Sequence, residues 1–73
     1  MDRATLIKHL IEVESLVSLA DVIVAQQRQI IADMERDGLD TKMAFRLLAE
    51  FEEYLLQEIA DRDRLKAELA AMA

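Results

Sequence analysis

Glu35-Arg36-Asp37-Gly38-Leu39-Asp40-Thr41 is the stretch that decides the fold of this 73-residue chain. It contains the only glycine, and there is no proline or asparagine anywhere. Turns rest on Gly, Pro, Asn and Asp because these residues adopt or stabilise backbone conformations that others resist. A multi-stranded sheet therefore lacks its punctuation, and one sharp reversal is left near the middle of the chain. Gly38 fits C′ of a helix, where the missing Cβ tolerates the left-handed conformation. Asp37 then becomes the C-cap, with Met34 at C3 and Leu39 at C″, the apolar pair that accompanies a Schellman motif. Asp40 or Thr41 supplies the oxygen that caps the next helix. Met43 stands where a capping box requires Glu or Gln, so the box is incomplete.

Outward from this turn, the spacing predicts a helix over about residues 3–36, a turn at 37–40 and a helix over about 41–72, each helix near 50 Å at 1.5 Å per residue. The expected fold class is all-α. A single domain over residues 1–73 forms an antiparallel two-helix hairpin of long heptad helices, which assembles into a four-helix bundle.

In the first helix Leu10, Val17, Val24 and Ile31 fall at heptad position a, and Leu6, Val13, Ala20, Gln27 and Met34 at d. The g column, His9, Leu16, Ile23 and Ile30, widens this seam to the broad stripe of a bundle helix. The opposite side is also weakly polar: Ala4, Ile11, Ser18, Ala25 and Ala32 share a column, with Leu19 and Val22 nearby. Burial on two sides is expected for this helix. The second helix is conventionally amphipathic. Ala44, Leu48, Phe51, Leu55, Leu65, Leu69 and Met72 follow a three-four spacing broken at Glu58 and Arg62, flanked by Phe45, Leu47, Tyr54 and Ile59. Folding at Gly38 brings Arg62 and Arg64 toward Glu14 and Glu12, and Arg28 toward Glu50. Glu58–Arg62 and Arg64–Glu68 are i,i+4 pairs, each worth about 0.2–0.5 kcal/mol.

The chain is 53% apolar and carries 15 acidic against 9 basic residues, net −6. That balance argues against nonspecific binding to nucleic acid or anionic membrane. Without cysteine there is no disulfide scaffold, thiolate metal site or cysteine nucleophile. Met1–Leu6 mixes charges and lacks the basic and apolar segments of a secretory signal. The most apolar stretch, residues 16–25, falls far short of the roughly 20 residues that span a bilayer. A cytoplasmic location is expected, with no membrane partner. Below about 70–80 residues a single core rarely supplies more than about 3–5 kcal/mol, so self-association is expected. The partner is then the chain itself, as a homodimer or higher even oligomer. Its interface is expected on the first helix at Leu10, Val13, Leu16, Val17, Leu19, Ala20, Ile23, Val24, Gln27, Ile30 and Ile31. Leu48, Phe51 and Leu55 contribute from the second, and Gly38, Leu39 and Asp40 form the turn.

Little in the chain resembles catalytic chemistry. His9 and Glu12 sit three apart, but helical-bundle metal sites use the reverse order, Glu-x-x-His, on facing helices with extra carboxylates. His9 is read as a residue at the edge of a packed stripe. Glu50, Glu52 and Glu53 have no desolvating pocket or fixed nucleophile beside them and read as a solvated face. Gln26-Gln27-Arg28-Gln29 breaks the apolar pattern. Gln27 at a d position acts as a buried register device; the four together would alternatively form a contact patch with Arg46. Ser15, Ser18 and Asp21 are candidates to line a polar notch, and Asp61-Arg62-Asp63-Arg64 reads as an ion-paired surface. No catalytic residue, cofactor or metal site is expected.

The strings Gln27-Arg28-Gln29-Ile30-Ile31, Glu35 to Thr41, Leu47-Leu48-Ala49-Glu50-Phe51-Glu52 and Arg62-Asp63-Arg64-Leu65 together carry a resemblance. Over residues 26–69 the chain resembles a set of short uncharacterised bacterial proteins with the pattern QRxII…ERxGxDT…LLxxFE…RDRL. The resemblance implies a native small protein rather than a fragment, and brings no catalytic residues with it. In architecture alone the hairpin is similar to plasmid Rop proteins, acidic helical hairpins that dimerise and bind paired RNA loops. The function expected is a non-enzymatic, homo-oligomeric module for structural, adaptor or regulatory protein–protein interaction. The alternatives are a Rop-like RNA-binding bundle and an antitoxin-like binder of a single protein partner.

Overall fold

In the computed structural model, which describes residues 1–72, two helices hold nearly the whole chain: α1, Arg3–Arg36, and α2, Lys42–Ala71. Ala73, included in the expected domain, lies outside the described residues.

Each helix end has a local cause. Asp2 opens α1 with extended backbone, and its carboxylate accepts a 2.7 Å hydrogen bond from the Thr5 N–H, one of the donors a helix start leaves unpaired. An Asp directly before a helical run is the usual signal of such a cap, and Asp2 is a cap beyond those expected at Asp37, Asp40 and Thr41. At the other end of α1 the Leu39 N–H donates to the Met34 carbonyl at 2.9 Å and the Gly38 N–H to the Glu35 carbonyl at 3.2 Å. Those are the two main-chain bonds of a Schellman motif, and Gly38 has the positive φ, 72°, that the motif demands. The Leu39 side chain is largely exposed. Two main-chain bonds therefore tie the reversal together. The two candidate caps of α2 divide the work. The Thr41 carbonyl accepts from the Phe45 N–H at 2.9 Å while its hydroxyl makes no capping bond, and the Asp40 carboxylate accepts from the Lys42 N–H at 3.0 Å.

The helices pack against each other as an antiparallel hairpin with Cα extents of 54 × 14 × 13 Å. Leu6, Val17, Ala20, Val24, Gln27 and Ile31 of α1 are buried against α2, whose Ala44 and Leu65 are buried in turn. The run 17-20-24-27-31 is the three-four rhythm that keeps one face of a 3.6-residue helix on a single line. Leu10, Val13, Ile23, Leu48, Phe51, Leu55 and Leu69 flank that line half-buried, as do Glu58 and Arg62 where the apolar spacing breaks. Two helices share only one contact line, so no large side chain among the described residues is completely enclosed.

One partner helix also explains a correction. The expected burial of α1 on two sides is not seen: Ala4, Ile11, Ser18, Leu19, Val22, Ala25 and Ala32 are not buried, because α2 covers one side only. The expected ion pairs are likewise rearranged. Arg28 reaches Glu52, at 3.2 Å, instead of Glu50. Arg62 pairs with its neighbour Asp63 at 3.1 Å and neither Glu14 nor Glu58. The expected Arg64–Glu68 pair is present at 3.2 Å, and Arg64 also reaches Asp61 along its own helix rather than Glu12. Long flexible cations pair with whichever carboxylate costs least side-chain entropy, and a neighbour on the same helix usually wins.

Candidate interaction surface

The α1 residues singled out as an interface separate into two groups. Val17, Ala20, Val24, Gln27 and Ile31 are spent inside the hairpin, with Leu10 and Val13 beside them. Leu16, Leu19 and Ile30 point outward, at 38%, 57% and 49% exposure, and Ile23 between them is half-buried. At 100° per residue the second group centres about 90° around the helix from the first. The three-four-seven spacing of Leu16, Leu19, Ile23 and Ile30 makes it a second seam with nothing against it.

Polar contacts identify which side of the hairpin this seam occupies. Arg28 and Glu52 bridge the two helices along one edge of the core line. Glu14, Val17, Ser18, Arg62 and Lys66 line an open hollow of about 160 Å³ on that same edge. Helical projection places Leu16, Ile23 and Ile30 on the opposite edge, and places Leu47 and Tyr54 of α2 there as well. The hairpin thus has one broad face carrying Leu16, Ile23, Ile30, Leu47 and Tyr54, with Glu12 and Asp61 among them, and one broad face marked by the Arg28–Glu52 bridge and the Arg62–Lys66 hollow. Phe45 and Leu56 are also exposed, but they lie on the charged side, among Glu52, Arg62 and Lys66.

The break at Gln26-Gln27-Arg28-Gln29 is divided in the same way. Gln27 is buried, 8% exposed, and its side-chain amide donates to the Ala44 carbonyl at 2.9 Å. Gln29 donates along its own helix to Asp33 at 2.9 Å, Arg28 is held by Glu52, and Gln26 is exposed. Arg46 is exposed on α2 with the Met43 sulfur, at 3.9 Å, as its polar contact. The four residues therefore do not present one common surface. Every buried side-chain nitrogen or oxygen among the described residues has a partner.

His9 is half-buried and Glu12 exposed, and no three residues among the described His, Asp and Glu stand close enough to hold a metal ion. Ser18 lines the charged hollow, whereas Ser15 and Asp21 are merely exposed and do not line it. Glu50 and Glu53 are exposed, and Glu52 is occupied by Arg28. No helix among the described residues is long and apolar enough to cross a membrane.

The hairpin has an accessible surface of 5256 Å² for a mass of 8.3 kDa. A compact folded monomer of that mass exposes about 4,600 Å². The excess is roughly 700 Å², close to the ~800 Å² that each partner contributes to a standard protein–protein interface. Comparison of the chain with family models, with curated proteins and with solved structures finds no match.

Proposed function

We propose that the chain is a non-enzymatic, homo-oligomeric helical-hairpin module that acts through protein–protein contact, in a structural, adaptor or regulatory role. The observation that carries this reading is the unpaired apolar seam of the hairpin, together with an accessible surface in excess by about one partner's share of an interface. The four-helix bundle is its natural completion, since two hairpins then bury what each leaves uncovered. A cytoplasmic location is part of the same proposal. The protein–protein reading is preferred to RNA binding because Arg28 is neutralised by Glu52 and the chain carries a net charge of −6. Neither feature favours a phosphate backbone.

Sedimentation equilibrium at micromolar concentration is the direct test, and a well-folded monomer there overturns the reading. Two substitutions refine it. Ile23→Asp places a charge on the uncovered face and dissociates the assembly, while Val17→Asp places one in the hairpin core and unfolds the chain.

A further inference from the structure

We infer that two copies of this chain pair through the broad face of Leu16, Ile23 and Ile30, with α1 lying antiparallel against α1 of the second copy, about a two-fold axis passing near Ile23. The inference rests on the self-association proposed above and specifies which face meets which, and in what direction.

Three observations carry it. The first is the angle between the two seams of α1. A helix in a square four-helix bundle touches two neighbours about 90° apart, and that is the separation between the line facing α2 and the line of Leu16, Leu19, Ile23 and Ile30. A hairpin that worked alone, or that held a partner loosely along its rim, would have no need for a second seam at the corner angle. The second is area. A long side of the hairpin spans about 54 × 14 Å between Cα extents, roughly 750 Å², so covering one such side is on the scale of one partner's share of a standard interface.

The third is self-complementarity about one point. Leu16 and Ile30 stand seven residues on either side of Ile23, so an antiparallel copy sets Leu16 against Ile30, Ile23 against Ile23 and Ile30 against Leu16. Large apolar side chains then meet at each of these levels. The two competing arrangements do worse. Turning the second hairpin so that α1 lies over the partner's α2 breaks this α1 ladder and sets Leu16 near Asp61, whereas in the antiparallel pair it is Leu47 of α2 that comes level with Asp61. Laying α1 parallel to its copy opposes identical charges at Lys8, Glu12, Asp33 and Asp37, and aligns the helix dipoles unfavourably. Antiparallel pairing about Ile23 instead sets Lys8 level with Gly38, one residue from Asp37, and Glu12 level with Met34 of the second copy, one residue from Asp33, and the Arg28–Glu52 face stays in water on both sides.

The chain has no cysteine, so single cysteines report proximity without background. Leu16→Cys, Ile23→Cys and Ile30→Cys all lie off the hairpin core line and leave it intact. The expected result under mild oxidation has two parts. Ile23→Cys cross-links to itself, and a mixture of Leu16→Cys with Ile30→Cys cross-links between the two variants, while neither of these cross-links to itself. In the antiparallel pair two Leu16 positions stand about 21 Å apart, 14 residues at 1.5 Å each, far beyond disulfide reach. Self-linking of Leu16→Cys or Ile30→Cys means parallel helices and overturns the inference. A dimer by sedimentation in which none of the three variants cross-links also overturns it, leaving self-association standing. A chain that sediments as a folded monomer overturns both.

Discussion

The side-chain amide of Gln27, buried in the middle of α1, donates a 2.9 Å hydrogen bond to the main-chain carbonyl of Ala44 in the first turn of α2. Among the described residues it is the only buried polar one, and it ties one helix to a fixed level of the other. The Ala44 carbonyl also serves the α2 ladder, so removing the amide leaves no wholly unpaired acceptor. Gln27→Leu is therefore expected to change stability by less than about 1 kcal/mol in either direction. Its effect appears as lost specificity, with broadened amide resonances on both helices. Gln27→Glu sets a carboxylate against a carbonyl and is expected to cost about 2–3 kcal/mol at neutral pH. Urea denaturation of both variants at neutral and acidic pH measures the difference. Protonation of the introduced carboxylate should recover most of the stability that Gln27→Glu loses.

Ile31 is 4% exposed, near the closed end of the seam. Truncation to alanine removes its burial and leaves a gap that the two helices fill incompletely, so Ile31→Ala is expected to cost about 2–4 kcal/mol. Glu53→Ala, on the solvated face of α2, should stay within about 0.5 kcal/mol of the parent chain. Chemical denaturation of the pair gives a calibrated contrast, and equal losses would contradict the core assignment.

At Gly38 the φ of 72° lies in the left-handed region, and a Cβ built there meets nothing within 4 Å. The cost of Gly38→Ala is then conformational alone, about 1–2 kcal/mol. In a domain of 60–100 residues that corresponds to a fall in Tm of roughly 4–16 °C. Gly38→Asn should lose less, because asparagine enters this region more readily. Thermal melts by circular dichroism rank the three, and an Asn variant weaker than the Ala variant would argue for a steric cause instead.

The Asp2 carboxyl is held below its ordinary value of 3.8, chiefly by the Thr5 backbone N–H that donates to it. That bond favours the ionised form. With the folded value depressed, the cap contributes fully above the unfolded value, and its contribution is lost as pH falls through the folded one. Below about pH 4 the first turn of α1 is expected to fray while the seam around Val24 holds. The protection factor of the Thr5 amide across pH 2–6, corrected for intrinsic exchange, checks this, as does a pH-independent protection factor in Asp2→Ala.

Much of the hairpin is legible in the sequence because a single residue can make its turn. With Gly38 the sole glycine and two long apolar-periodic runs on either side, few other folds are available to the chain. The heptad rhythm of Val17, Ala20, Val24, Gln27 and Ile31 likewise marks the residues that α2 covers. The surface is harder to read. On α1 the a, d and g columns are apolar apart from Gln27 and His9, so composition merges two stripes that the fold separates. Only the placement of α2 shows that Leu16, Leu19 and Ile30 are left outside. Cross-helix ion pairs escape the sequence for a related reason: Glu50 and Glu52 are nearly level along α2 but about 200° apart around it, so only the placement of α2 against α1 shows that Glu52 is the one on the edge of Arg28.

The position of Gly38 near the middle of the chain also governs how the hairpin comes together in time. Contacts next to the turn join residues separated by few others, while Leu6 meets a segment almost the whole chain away. Each layer formed after the first closes a loop only slightly longer than the one before, and the entropic cost of closure rises slowly with length. Folding should therefore nucleate beside Gly38 and advance toward both termini together, with the layer at Leu6 last to form and first to open.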